Sequence, residues 1–234
     1  MKPVENTACL TCKARSKSIF SSCSFEVLAN LDEMKTCQVY QKGEELFQMG
    51  HHPKGIFCVI SGKIKVYQKG FDGKEQIVHL ISAGNIMGHR ALFGDDTYSC
   101  SAIALEECKV CFLPKSKFYD MISKDGKLTF KIAQLLAHEL KEAEEIITST
   151  AQQPVMERVA KMLIVLQKQY GFLADEATLN IEMKRDDFAN MVGSTRETVT
   201  RYLYKLKKDG LIDIIGKKIK ILDYNKLTTL SKEG

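Results

Sequence analysis

The run Gly193-Ser194-Thr195-Arg196-Glu197-Thr198-Val199-Thr200-Arg201-Tyr202-Leu203 restricts the carboxy-terminal part of this 234-residue chain to very few folds. Ahead of it Phe188, Ala189 and Val192 recur at helical spacing, Gly193 interrupts them, and Val199, Leu203 and Leu206 resume the pattern. Two short helices joined by a glycine turn make a helix-turn-helix. With one side of the second helix committed to packing, Arg196 with Thr200 and Glu197 with Arg201 form two adjacent i,i+4 rows on the outward side. Arginine can donate two hydrogen bonds to guanine in the major groove, and glutamate can accept from the cytosine amino group. The first turn of such a helix is where this motif touches bases. Ser194-x-x-Glu197 also matches a capping box, which would make Glu197 a helix-start residue and Arg201 a solvated charge.

The residues after the second helix favour the DNA reading. Lys205, Lys207 and Lys208 lead through Gly210 to Leu211-Ile212-Asp213-Ile214-Ile215, Gly216, and Lys217-Lys218-Ile219-Lys220-Ile221-Leu222. Two short strands around a tight turn form a wing, and its lysines are placed to meet phosphates.

On these residues the chain resembles the catabolite-activator and fumarate/nitrate-reduction (CRP/FNR) regulators. Their second helix carries Ser/Thr-Arg-Glu-Thr-Val-x-Arg, matched here by Thr195 through Arg201. The resemblance implies that Arg196, Glu197 and Arg201 read bases, as in the catabolite branch, with a half-site like TGTGA. In the fumarate/nitrate branch the reading positions fall instead at Glu197, Thr200 and Arg201. Thr195, Lys205 and Lys218 complete the expected DNA-contacting set.

Charge follows the motif. From Lys184 to the end there are twelve basic and seven acidic side chains, the same excess of five that the whole chain carries with 34 and 29. No apolar run is long enough to cross a bilayer, and the polar start Met1-Lys2-Pro3-Val4-Glu5-Asn6 lacks a signal-peptide pattern, so a cytoplasmic protein is expected. In that compartment the eight cysteines are expected as thiols or ligands rather than a disulfide framework.

From Val39 to Leu113 the texture is one of short apolar or alternating runs, such as Ile56-Phe57-Cys58-Val59-Ile60 and Ile64-Lys65-Val66-Tyr67, punctuated by glycines. Short strands and tight turns predict a closed antiparallel β-roll. Gly62-Lys-Ile-Lys-Val-Tyr and Asp72-Gly73-Lys74-Glu75 resemble a sensory domain of the cyclic-nucleotide-binding type. In that type a glutamate after the loop glycine holds the ribose and an arginine about ten residues later pairs with the cyclic phosphate; His89 and Ser99 stand at those positions here. A phosphate would lose its charge-assisted bonds, so weak or absent cyclic AMP binding is expected. The pocket loop between Gly84 and Ala102 is expected to line an effector site with Gly88, His89, Arg90, Ser99 and Cys100. Arg90 and the amides of a short helix near Gly88 would attract an anion; the alternative is a structural loop.

Two thiols spaced as in Cys9-x2-Cys12 can turn to one point, and a lone pair of this kind signals little by itself. The resemblance to the oxygen-sensing branch places one cluster-binding cysteine at Cys111 and three near the amino terminus, making Cys9, Cys12, Cys23 and Cys111 the candidate set for an iron-sulfur cluster. The ten residues between Cys12 and Cys23 exceed that branch's gap, and plain thiols are the competing reading. No metal site is assigned and the cofactor is left open. His51, His52, His79, His89 and His138 show no ligand spacing beyond adjacency, and there is neither a nucleophile-and-base set nor a phosphate loop, which argues against an enzyme.

Between Phe118 and Ser149, Leu128, Ile132, Leu136, Leu140, Ala143 and Ile147 recur four and three apart, the seam of a helix that pairs with a twin. Family members dimerise through this helix, and two symmetric recognition helices are needed to reach successive major grooves. A polar break from Thr148 to Pro154 precedes an amphipathic helix from Val155 to Tyr170, and Leu179 to Met183 reads as a short strand.

The expected fold is α+β: a Cys-containing segment at 1–24, a cyclic-nucleotide-binding-like β-roll at 25–127, a long dimerisation helix at 128–150 and a winged helix-turn-helix at 151–234. The expected function is a homodimeric, sequence-specific transcription regulator acting on double-stranded DNA with RNA polymerase as a further partner. The signal is an unknown small-molecule effector or, alternatively, oxygen through an iron-sulfur centre. A cyclic-nucleotide-type regulatory subunit acting on a protein partner is the rival class. It would need the missing phosphate-binding arginine and would not need Arg196, Glu197 and Arg201.

Overall fold

The computed structural model describes residues 2–3, 7–71, 73–94 and 97–231; Asp72 of the expected turn, and Asp95 and Asp96 of the pocket loop, lie outside the described residues. The chain divides into two compact units, Met1–Lys141 and Glu142–Gly234.

The first unit begins with two 3-10 turns, Lys13–Lys17 and Ile19–Ser22, and helix α1 (Phe25–Met34), started by the Ser24 hydroxyl, which accepts from the Val27 amide at 3.3 Å. Strands β1 (Lys2–Pro3), β2 (Thr36–Tyr40), β4 (Gly55–Ser61), β7 (Ile86–Met87) and β9 (Cys108–Pro114) form one antiparallel sheet in the order β1-β2-β9-β4-β7. Strands β3 (Glu45–Phe47), β5 (Ile64–Lys69), β6 (Glu75–Ile81) and β8 (Ser101–Ala104) form a second, in the order β3-β8-β5-β6.

Alternation along the strands divides the first sheet's residues between two cores. Phe57, Val59, Cys108 and Val110 pack with Ile64, Val66 and Ala102 of the second sheet to fill the roll. Ile56 and Leu113 point the other way, onto Phe20, Leu28, Leu31 and Phe118 of the 3-10 turns, α1 and helix α3 (Lys115–Lys124). Helix α2 (His89–Phe93) comes directly after β7.

Helix α4 (Gly126–Gln152) starts before and ends after the expected span, so the polar stretch from Thr148 is helical up to Gln152. Its seam also needs correction. Leu128 and Ile132 are 1% and 3% exposed inside their own unit's core, and Leu136 packs against that core, so these three hold the helix to its own roll. The exposed apolar side chains include Ile146 and a second stripe, Phe130, Ala133, Ala137, Leu140 and Ile147, spaced three, four, three and seven apart. Both stripes have helical period; burial alone separates them.

In the second unit, helix α5 (Val155–Tyr170) begins after Pro154, is stopped by Gly171, and buries Val159, Ala160, Leu163 and Leu166. Helices α6 (Arg185–Val192) and α7 (Arg196–Lys208) precede a two-stranded sheet, β10 (Ile212–Ile215) and β11 (Lys218–Ile221), and a final helix α8 (Tyr224–Leu230). Leu179 to Met183 is not a strand. Leu179, Ile181 and Met183 are buried alternately, which produces the period-two pattern, but the segment makes one isolated bridge, Leu179 with Phe172, beside the bridge of Thr178 with Lys220. No described helix is long and apolar enough to cross a membrane.

Candidate nucleic-acid interface

The turn between α6 and α7 is set by Gly193, at φ +66°, a conformation that costs glycine nothing and other residues strain. The Ser194 amide returns to the Ala189 carbonyl at 3.1 Å. Helix α7 is capped by Thr195, whose hydroxyl accepts from the Thr198 amide at 3.2 Å, an interaction worth about 1 kcal/mol. The cap is therefore not Ser194, and Glu197 is not a capping-box residue. Thr195 itself serves the helix start.

Val199, Leu203 and Leu206 are fully buried, which leaves Arg196, Glu197 and Arg201 exposed and Thr200 half-buried on the opposite side. Arg196 lies 3.4 Å from Asp186 of α6, both more than half exposed, and the Arg201 guanidinium sits 5.3 Å from the Tyr202 ring centre. Such an exposed pair is weak and easily exchanged for a better acceptor. Lys205 is exposed on the last turn of α7. Lys218, at the start of β11, lies 3.7 Å from Glu182, while Lys207 pairs with Asp213 at 2.6 Å. The wing's hairpin is tight, with Ile215 directly opposite Lys218.

A residue without a motif orients this surface. The Arg158 guanidinium, from α5, donates from Nε to the Val192 carbonyl at 3.0 Å and from Nη2 to Gly193 at 3.2 Å, and from Nη1 to Thr150 and Gln153, both at 2.9 Å. It therefore satisfies the open carbonyls at the end of α6 and at the end of α4 together.

In the first unit, Gly88, His89, Arg90, Ser99 and Cys100 line one cavity of about 40 Å³, with His79, Tyr98 and Glu139. That is room for a few water-sized molecules. Glu139, unforeseen in the sequence, reaches in from α4: its Oε2 accepts from His89 Nε2 at 3.1 Å and lies 3.7 Å from Arg90 Nε. Burial raises the Glu139 carboxyl, but the His89 hydrogen bond and the charges of His89 and Arg90 outweigh it and hold the group below the usual carboxylate range. Burial, aided by Arg90, pushes the His79 imidazole down to about 4. His89 is 3% exposed, and its Nδ1 is buried without a hydrogen-bond partner among the described residues. Arg90 is thus engaged by a carboxylate, and α2, at five residues, is too short to act as an anion site.

The cysteines are not all thiols. Cys37 and Cys111 stand directly opposite each other on β2 and β9, with Cα atoms 4.1 Å apart, and are joined as a disulfide. Cross-strand register brings them together across 74 residues, which local sequence cannot reveal. Cys23 packs against the same hydrophobic core as Cys9, and burial raises its thiol, with the charges of Asp125, Lys131 and Arg15 acting on it. No three His, Cys, Asp or Glu side chains among the described residues converge on a single ion.

Residues 37–125 match the cyclic nucleotide-binding domain family, and residues 157–230 match the Crp-like helix-turn-helix domain family. The chain is 34% identical over 194 residues to the fumarate and nitrate reduction regulatory protein of Vibrio cholerae, covering 82% of this chain and 76% of that one. It is 28% identical over 227 residues to the transcriptional activator protein Anr of Pseudomonas aeruginosa, covering 95% and 92%. Among solved structures it is similar to FixK2 from Bradyrhizobium japonicum, with a TM-score of 0.77 and 25% identity over 86% of this chain and 98% of that one. With a roll of the cyclic-nucleotide-binding type, an outward-facing Arg196-Glu197-Arg201 row on a Crp-like second helix, and relatives of this kind over most of its length, the chain belongs to the CRP/FNR family of transcription regulators.

Proposed function

We propose that this chain is a cytoplasmic regulator that binds a palindromic DNA site as a homodimer, recruits or blocks RNA polymerase there, and takes its signal from the β-roll. The observation that carries the reading is the division of α7: Val199, Leu203 and Leu206 buried, Arg196, Glu197 and Arg201 exposed. Arg196, Glu197 and Arg201 read bases, in the manner of a TGTGA-like half-site; Lys205 and Lys218 meet phosphates, and Thr195 and Thr200 flank the reading row. The twin is met along Phe130, Ala133, Ala137, Leu140 and Ile147, with Ala143 beside that line, because these apolar side chains are left outside the chain's own core. In this reading the chain comprises an N-terminal segment, the sensory roll, the dimer helix α4 and the DNA-binding region beyond it.

Cyclic nucleotides do not serve as the signal in this reading. Glu139 presents a carboxylate in the cavity where a cyclic phosphate would have to bind, and His89 and Ser99 supply no replacement for the missing arginine. An effector suited to Gly88, His89, Arg90, Ser99 and Cys100 is small, and the unpaired His89 Nδ1 offers it a hydrogen bond.

The test is fluorescence anisotropy on a palindrome of two TGTGA half-sites and on a scrambled duplex of equal length, across a salt series. Preference for the palindrome, with affinity falling steeply as salt rises, is expected. Equal binding to both duplexes, or binding insensitive to salt, would overturn the reading.

A further inference from the structure

Asp186 is the second residue of α6 and Arg196 the first of α7, yet the fold of the two helices brings them together: Arg196 Nη1 donates to Asp186 Oδ2 at 3.4 Å. Both side chains are more than half exposed, so the pair lies out on the open side of α7 with Glu197 and Arg201 and not in the core. In a guanidinium, Nε–H and one N–H of Nη2 run parallel and form a two-donor edge, with Nη1 on the other side. With Nη1 given to Asp186, the Nε–Nη2 edge is left for two hydrogen bonds to guanine O6 and N7. A carboxylate in the first turn of α6 would also suit the positive end of that helix, which is the competing role for Asp186.

Resting on the reading of Arg196 as a base-contacting residue, we propose that Asp186 is a positioning residue that sets the preference of Arg196 for guanine. A long arginine side chain swings as readily to a phosphate as to a base, and a phosphate contact carries no sequence information. Asp186 holds the guanidinium from the α6 side with its two-donor edge free. In water such an exposed pair contributes little. A duplex seated on α7 displaces that water, and there both the pair and any unpaired charge gain weight. Where the base is not guanine and Arg196 turns to a phosphate, Asp186 is left as an unpaired carboxylate facing a polyanion, which penalises that complex. Discrimination therefore arises from the cost of the wrong complex as well as from the bonds in the right one.

Glu182 stands in a similar relation to Lys218 of the wing, 3.7 Å away. An ammonium is a point charge without a two-donor edge, so that pair tunes attraction to phosphates and selects no base. The two carboxylates are distinguished by the cation each one faces, which makes Glu182 the control for Asp186.

The experiment uses the full chain and fluorescence anisotropy on the palindrome of two TGTGA half-sites, on duplexes in which each base pair of the half-site is exchanged in turn in both halves, and on the scrambled duplex. Arg196→Ala locates the base pair that Arg196 reads, as the position where preference is lost. Asp186→Asn should cut preference at that base pair by about tenfold, leave the other positions unchanged and bind the scrambled duplex more tightly than the parent does. Asp186→Glu should recover part of the preference, and Asp186→Asn should change nothing further at that base pair in an Arg196→Ala background. Glu182→Gln should tighten all duplexes alike. The proposal is overturned if Arg196→Ala costs preference at no position, or if Asp186→Asn keeps the parent's preference at the base pair so located. Equal weakening of all duplexes by Asp186→Asn, as a helix-start role would give, also overturns it, as does the same change of preference in Glu182→Gln, which a general charge effect would give. If circular dichroism shows Asp186→Asn unfolded, Asp186→Ser takes its place with the same outcomes. A parent that prefers the palindrome with an unaltered Asp186→Asn ends this inference alone; a parent without that preference ends the DNA reading and this inference with it.

Discussion

Replacing Arg158 with methionine keeps the apolar stem of the side chain and removes a guanidinium that holds four carbonyls, those of Thr150, Gln153, Val192 and Gly193. The bonds to Thr150 and Gly193 are exposed, and water replaces them at little cost. Those to Val192 and Gln153 are partly buried, and at about 1–1.5 kcal/mol each their loss destabilises the second unit by roughly 2–3 kcal/mol. For a domain under about 100 residues that lowers the melting temperature by roughly 10–20 °C. The Val192 and Gly193 carbonyls belong to the helix-turn-helix turn, so the angle between α6 and α7 loosens and palindrome binding weakens more than binding to scrambled duplex. Thermal unfolding by far-ultraviolet circular dichroism and anisotropy on both duplexes measure the two effects. Arg158→Lys, a point charge without the planar fork, should fall between parent and methionine variant. A methionine variant that melts within a degree or two of the parent and binds the palindrome normally would show that Arg158 does not position this surface.

The same geometry sets further expectations. Arg201→Ala should weaken the palindrome by about 1–3 kcal/mol and relax sequence preference without a change in melting, whereas Lys218→Ala should weaken all duplexes alike and flatten the salt dependence; equal behaviour of the two variants contradicts their separate roles. Leu140→Glu should convert a dimer to a monomer in analytical ultracentrifugation with the roll still folded, whereas Leu128→Ala should destabilise the roll by about 2–5 kcal/mol; the reverse pattern would restore the seam through Leu128. For His79, the unfolded chain takes up its proton in the ordinary histidine range while the folded chain resists until about 4. More protons are bound unfolded over that window, so stability falls as pH drops through it, by on the order of 3 kcal/mol in full. His79→Gln should remove that slope in urea titrations between pH 7 and pH 4, and an unchanged slope assigns it elsewhere.

The cross-strand disulfide and the acidic cavity show why part of the structure stayed hidden in the linear chain. The spacing of Cys9 and Cys12 is local and legible, but Cys37 and Cys111 read as residues of two separate apolar strands until β2 is set beside β9. Glu139 lies on a long amphipathic helix among many charges, and only the packing of α4 brings it to His89, 50 residues away. The strand period likewise promised a strand at Leu179 to Met183, where alternate burial is present and a partner strand is not.

Sequence was sufficient for the winged helix-turn-helix, the roll and the long helix, together with the outward row of Arg196, Glu197 and Arg201. Each of these is written in near neighbours, through helical or strand period, caps and turn residues, so a window of ten or fifteen positions contains the information. Three-dimensional packing was required to settle which of two equally periodic stripes on α4 is buried, that Cys37 and Cys111 stand opposite one another, and that Arg158 ties α5 to the recognition turn. Those are matters of register and of which face is covered by what, and they depend on residues tens of positions apart whose meeting leaves no periodic trace in the chain.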